Sequence, residues 1–297
     1  MTQGSPSDLK SRIESHIPFL AQTWPAAPER SARKGPGPLG SAGARAALLL
    51  HRALDRASLS ARNVASGLCL GVLTDEALGR CCSLAYERRP EFRSSEYNDS
   101  GLRVWERSFV ERYLVPGARV LVPSAGGGRE VLALHREGFE VAAFECHPLL
   151  AAWGNDFLRS RGAPVEILPA PPDRCPPGLP DRDAVIVGWA AYSHIRPSRR
   201  RVEFLRDLRG LLEKGDPLLV SFLERGGGRE LEASRLANRL RRPLGRSPLE
   251  PGDVFGPPPL HLFSRAEIET ELCAAGFRTD HYLSEGTYPH AVGIAIE

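Results

Sequence analysis

Residues 119–148, RVLVPSAGGGREVLALHREGFEVAAFECHP, constrain the fold more than any other part of the chain. Arg119–Pro123 is short, apolar and rich in Val and Leu, as a buried parallel strand requires. Ser124, Ala125 and three consecutive glycines, Gly126 to Gly128, follow it. Glycine accepts positive φ and lets a backbone approach a ligand closely. The spacing of Val131, Leu132, Leu134 and His135 predicts a helix over 129–137, with Gly138 placed as its C-terminal cap. Residues 139–144 (FEVAAF) are the next expected strand, and Glu145 stands at its carboxyl end. Strand, glycine turn, helix, strand and acid make half of a nucleotide-binding α/β unit.

The alternation continues downstream. Helices are expected over 149–161, 197–212, 226–242 and 264–275, the last with Ser264 and Glu267 as a capping box. Strands are expected over 165–168, 184–189, 217–223, 277–283 and 291–296. Residues 169–181 contain six prolines and read as a loop, as does the Pro- and Gly-rich stretch 243–259. With the two strands already named this gives seven, a mostly parallel sheet with an antiparallel pair at the end. Upstream, the pattern is helical and without strands: 8–20 (interrupted by Pro18), 44–55, 59–73, 74–88 and 102–114, with a flexible connection over 25–43. Three parts follow: a partly flexible segment 1–43, a helical cap region 44–97, and an α/β domain 98–297.

Composition narrows the function classes. The net charge of +3 gives no electrostatic argument for nucleic acid or an anionic membrane. The six cysteines form no C-x-x-C pair and have no histidines at zinc spacing, so no metal site is expected and free thiols in a reducing cytoplasm are. No apolar run approaches the ~20 residues a membrane span needs, and no secretory signal is visible. A cytoplasmic protein is the expectation, with a homodimer left open.

In an open parallel sheet, ligands lie beyond the carboxyl ends of the strands. The glycine turn, Glu145 and residues 189–195 all fall there. A carboxylate at the end of the second strand can accept both hydroxyl protons of a ribose. A dinucleotide site would want G-x-G-x-x-G, whereas here three glycines are consecutive and are followed by Arg129 and Glu130. An acid at that helix start would also repel a pyrophosphate. A nicotinamide-dependent oxidoreductase is therefore the weaker alternative.

The arrangement resembles the class I S-adenosylmethionine-dependent methyltransferases, whose first motif has the form V-L-D-x-G-x-G-x-G. Here it is Val120-Leu121-Val122-Pro123-Ser124-Ala125-Gly126-Gly127-Gly128. Gly126 and Gly128 match the second and third glycines, while Val122 stands for the acid and Ser124 for the first glycine. The thiopurine and carnosine branches of that family also carry L-V-P at this strand. Glu145 matches the ribose-binding acid. Residues 183–187 are similar to the family's fourth strand, 211–219 to its turn into the fifth, and 263–277 to its late capped helix with a Gly-Phe step. The resemblance covers residues 98–297 and implies a Rossmann-like domain behind an N-terminal helical region.

What the resemblance implies for the site is specific. Pro123, Ser124, Ala125, Gly126 and Gly128 would line the methionine part of S-adenosylmethionine, Glu145 the ribose, and Cys146 and His147 the adenine. Asp173 is the candidate for the adenine amine. Gly188 and Trp189 begin the segment that faces both cofactor and substrate. The sulfonium already activates the methyl group, so catalysis is mainly alignment, with a base needed only for a protonated acceptor. His194 is the named base and Tyr192 its hydrogen-bonding neighbour to the acceptor. The implied activity is methyl transfer to O or N of a small molecule. No N/D-P-P-Y/F motif of nucleic-acid enzymes follows the fourth strand. A non-catalytic protein that binds S-adenosylmethionine or S-adenosylhomocysteine is the alternative from another class.

Overall fold

The apolar run after Ala118 becomes the centre of a seven-stranded sheet. A computed structural model describes residues 38–226, 230–256, 258–284 and 288–297. The helix expected over 8–20, and the connection as far as residue 37, lie outside the described residues. Residues 58–297 form one compact unit. The other unit ends at Ala57 and is described from residue 38, where it is helical, with Leu48, Leu49, Leu50 and Leu54 exposed.

Upstream of the sheet come α1 (Pro38–Val72), α2 (Asp75–Glu87), a 3-10 turn at Pro90–Arg93, α3 (Ser95–Asn98) and α4 (Val104–Tyr113). Two expectations change here. Residues 38–43 are helix rather than connection, and the helices expected over 44–55 and 59–73 are one, since nothing over 56–58 breaks the pattern. Thr74 caps α2 as expected, its hydroxyl accepting from Ala77 N at 3.1 Å.

The domain then runs β1 (Arg119–Pro123), α5 (Arg129–Arg136), β2 (Glu140–Glu145), α6 (Pro148–Ser160), β3 (Ile167–Pro169), β4 (Ala184–Val187), α7 (Ser198–Arg209) and β5 (Pro217–Ser221). It continues with β6 (Leu223–Glu224), α8 (Glu230–Arg241), β7 (Asp253–Phe255), β8 (Pro259–Phe263), α9 (Arg265–Ala274), β9 (Phe277–Leu283) and β10 (His290–Ala295). The sheet order is β3-β2-β1-β4-β5-β10-β9. The first five strands are parallel, and β10 pairs antiparallel with both β5 and β9. Successive strand residues face opposite sides, and both sides are covered by helices. Leu121, Val185, Leu218 and Val220 pack with Leu205 of α7 and Leu272 of α9. Val120, Val122, Ile186 and Leu219 pack with Phe109, Val131 and Phe157 of α4, α5 and α6. That two-sided burial is why these strands read as continuous apolar runs. Strand order reverses between β1 and β4, which opens a crevice at their carboxyl ends.

A second sheet, β6-β8-β7, had no counterpart in the sequence reading. Two of its strands, β7 and β8, lie in and at the end of the proline-rich stretch 243–259, β6 follows directly on β5, and β8 is buried along its whole length. Prolines fit there because they stand at strand starts and edges rather than in the ladder.

The C-terminal half of α1 meets α8 at very short range. A Cβ at Gly67 would lie 2.9 Å from the Ala233 carbonyl oxygen, and one at Gly71 2.7 Å from Leu240 Cδ1. Replacing Gly67 by Val gains helix propensity but forces the helices apart, and the backbone carbonyl cannot swing aside. We expect a net loss of about 1–3 kcal/mol, read as a lower urea midpoint. An unchanged midpoint would show that the helices can separate at no cost. Among the described residues, no helix is long and apolar enough to cross a membrane.

Candidate active site

The turn after β1 is held by backbone geometry that few residues tolerate. Ser124, Gly126 and Gly128 have φ of 55°, 56° and 93°. Ala125 N donates to Phe144 O at 3.0 Å, tying the turn to the end of β2. Ser124 stands where the resembled motif has its first glycine, and the left-handed φ gives the reason for glycine there. A side chain at such a φ costs roughly 1–3 kcal/mol. Ser124→Gly should therefore raise stability by about 0.5–1 kcal/mol once the greater freedom of glycine in the unfolded chain is counted. A thermal melt reads this, and a lower melting temperature would mean that the Ser124 side chain contributes a contact of its own.

Glu145 is 6% exposed, and its two carboxylate oxygens each accept a backbone N–H, Oε2 from Gly126 and Oε1 from His147, both at 2.8 Å. The carboxylate is thus clamped between the glycine turn and the start of α6, with an acceptor position left on each oxygen. It lines a cavity of about 380 Å³. Ser124, Ala125, Gly126, Cys146, His147, Trp189 and His194 line the same cavity, so eight of the sequence-derived residues converge on it. Asp173 also lines it, with φ of 60° and a 3.2 Å bond from Arg200. A Cβ at Gly126 would meet nothing within 4 Å, so the turn leaves open space on the cavity side.

The other four sequence-derived residues lie elsewhere. Tyr192 is 1% exposed, stacks on Phe263 and donates its hydroxyl to Glu271 Oε2 at 2.5 Å. It is a core residue with its donor engaged, and a role beside the acceptor is withdrawn. Pro123 ends β1 opposite Phe144 and does not reach the cavity. A Cβ at Gly128 would lie 3.3 Å from Leu158 Cγ, and one at Gly188 2.9 Å from Glu130 Oε1. These two glycines allow close packing behind the site and do not line it.

His194 does face the cavity, and a 3.0 Å hydrogen bond joins its Nε2 to the Tyr86 hydroxyl. Burial first, with nearby Arg89 and Arg196, lowers its pKa to about 4. The imidazole is therefore neutral at pH 7 and a weak base. Just before it, Trp189 and Ala190 have left-handed φ of 52° and 54°. Ser221 Oγ holds this bend by accepting from Ala190 N at 3.0 Å, and Trp189 packs on Tyr97 and Tyr288 with ring centroids 5.7 and 4.8 Å away.

Of the further wall residues, Tyr86 and Phe92 escaped the sequence reading. Tyr86, Phe92 and Tyr97, from α2, the 3-10 turn and α3, form an aromatic wall that meets Trp189. Asn98 is 1% exposed, and its Nδ2 donates to the Phe92 and Ser94 carbonyls at 3.1 and 2.9 Å. Its Oδ1, buried beside the glycine turn, has no partner among the described residues. Arg129 lies buried between two acids: it binds Glu106 through bonds of 2.7 and 2.6 Å and Glu130 through one of 2.5 Å. Burial, opposed by Arg129 and assisted by Glu106, pushes the Glu130 carboxyl up to about 7. The Arg129-Glu130 pair was legible only as charge at a helix start, and Glu106 only as a face of α4.

At the cavity's edge, Asp253 joins Glu250 and His261 in a cluster whose ligand-type atoms lie within 4.8 Å of one another. Arg201 donates to Glu250 at 2.8 Å and His261 Nδ1 lies 2.8 Å from Asp253 Oδ1, while His261 Nε2 is buried with no hydrogen-bond partner among the described residues.

No protein-family model and no curated protein matches the chain. Solved structures do. The chain is similar to the Burkholderia thailandensis 1,6-didemethyltoxoflavin-N1-methyltransferase, solved with its substrate and S-adenosylhomocysteine, at 16% identity and TM-score 0.54, covering 76% of this chain and 92% of that one. It is similar to a Methanosarcina mazei S-adenosylmethionine-dependent methyltransferase at 16% identity and TM-score 0.51, covering 66% and 99%. A Clostridium acetobutylicum S-adenosylmethionine-dependent methyltransferase aligns at 12% identity and TM-score 0.50, covering 64% and 89%. The seven-stranded, mostly parallel sheet with its surrounding helices is the Rossmann-like fold of the class I S-adenosylmethionine-dependent methyltransferases.

Proposed function

We propose that the chain is an enzyme that transfers a methyl group from S-adenosylmethionine to an oxygen or nitrogen of a small molecule. The observation that carries this reading is Glu145. A buried carboxylate at the carboxyl end of the second parallel strand, clamped by Gly126 N and His147 N, faces a cavity beside a left-handed glycine turn. That is the place and the chemistry for a ribose diol.

The rest of the wall fits the same cofactor. Asn98 Oδ1, buried without a partner, and the Glu130 carboxylate are acceptors near the glycine turn, where an amino-acid ammonium would satisfy them. Cys146 and His147 lie on the adenine side of Glu145. When bound, S-adenosylmethionine supplies a methyl group activated by its sulfonium. The chain's own work is then to hold the acceptor in line, and the aromatic wall of Tyr86, Phe92, Tyr97 and Trp189 keeps water from the reacting centre. His194, neutral and hydrogen-bonded to Tyr86, orients the acceptor and can take a proton only from one that becomes strongly acidic as it reacts. These acceptors beside the turn also disfavour a pyrophosphate, and with it a nicotinamide cofactor.

Calorimetric titration with S-adenosylhomocysteine tests the reading. Binding in the micromolar range is expected, and no binding by the folded protein overturns it. A non-catalytic binding protein would bind equally well but leave every acceptor unmethylated.

A further inference from the structure

The charged groups on the cavity wall are paired, with one exception. Arg129 binds Glu130, Arg200 binds Asp173, and Arg241 binds Asp75 at 2.7 Å. Asp253 is bonded to His261, and Glu145 to two backbone N–H groups. Arg196 lines the cavity too, yet among the described residues it has no carboxylate or carbonyl partner, and its Nε is buried with no acceptor. Only its Nε is buried, so its terminal guanidinium nitrogens are donors open to a ligand. Arg196 follows His194 and Ile195 in the segment after β4 and lines the same cavity as His194. Its charge acts on both His194 and Cys82 of α2, so it lies near both.

The surface beside it is aromatic. The Tyr86 ring lies 5.8 Å from the His194 ring, edge on, and 5.7 Å from Phe92. A planar guanidinium suits the planar fork of a carboxylate, and one uncompensated positive charge matches one negative charge rather than a phosphate dianion. From these features we propose that the methyl acceptor is an aromatic carboxylic acid, its carboxylate held by Arg196 and its ring by the Tyr86–Phe92 wall. The proposal rests on the methyltransferase reading for what happens to the ligand, but not for its binding.

The test therefore measures binding with and without S-adenosylhomocysteine. The probes are benzoate, 2-hydroxybenzoate, indole-2-carboxylate and 2-naphthoate, each beside its carboxamide, titrated by calorimetry. At least one carboxylate should bind about tenfold or more tighter than its amide, on the scale of a lost charge-assisted pair. Arg196→Gln should remove the preference, and Arg196→Lys should keep part of it, since the charge stays while the fork is lost. Arg196 has no protein partner to strand, so both variants should melt with the parent, and both should bind S-adenosylhomocysteine as the parent does. Equal binding of acids and amides across the set, a preference that survives Arg196→Gln, or no binding of any probe each overturns the proposal. Failure to bind S-adenosylhomocysteine, with an Arg196-dependent preference intact, overturns the methyltransferase reading instead.

Discussion

Glu145→Ala should weaken S-adenosylhomocysteine binding by more than about tenfold, on the scale of a lost charge-assisted pair. Two effects add. The acceptors for a ribose diol disappear, and the N–H groups of Gly126 and His147 lose their partner at 2.8 Å. The second effect loosens the turn itself, so the variant also loses about 1–3 kcal/mol of stability. Glu145→Gln separates the two. Its amide oxygen can still accept one N–H, so the melting temperature recovers in part, while the site keeps one acceptor where two were needed. Calorimetric affinities alongside melts for both variants check this. Parent-like affinity in Glu145→Ala would remove the carboxylate from the cofactor site.

The largest effect on stability is expected at Arg129. Its guanidinium is 1% exposed and lies between Glu106, 0% exposed, and Glu130. Arg129→Met fills similar space but leaves two buried carboxyls with no counter-charge. Breaking a buried pair in this way costs about 3–5 kcal/mol. The sign of the pH dependence follows from Glu130. Its folded pKa is raised to about 7, above the unfolded value near 4.5, so the folded state holds the proton more tightly. Below the unfolded value both states are protonated and no penalty exists. The penalty grows as pH rises from about 4.5 to 7, and is complete above that. Without Arg129 the Glu130 carboxyl is pushed further up and the penalty steepens. Urea denaturation should therefore find Arg129→Met far weaker than the parent at pH 8 and closer to it at pH 5.5. A pH-independent deficit would mean that lost packing, not charge, is the cause.

The sheet was readable from sequence because its strands are buried on both faces and bounded by glycine and proline. Residues 119–145 carried nearly everything: strand, turn, helix and acid fall where expected. Tyr192 was misjudged for a physical reason. Nothing local shows that Glu271, far along the chain, will accept from its hydroxyl. Gly128 and Gly188 were assigned to the ligand, but a glycine serves close helix packing equally well, and only the neighbours decide. Tyr86 and Phe92 stayed hidden because no local period marks which side of the helical cap region faces inward. The small sheet stayed hidden because proline at a strand edge reads as loop.

The strand order has a consequence for how the chain is made. β10 lies between β5 and β9, although β9 is synthesised first. Until residues 290–295 leave the ribosome, the largely apolar β5 has an unpaired edge, and β9 has no strand of the sheet to pair with. Parallel pairing can assemble the first five strands, but the sheet stays adhesive at one side until β10 emerges. A nascent chain stalled before His290 is thus the form most prone to self-association, and the strand that seals the edge is the last to arrive.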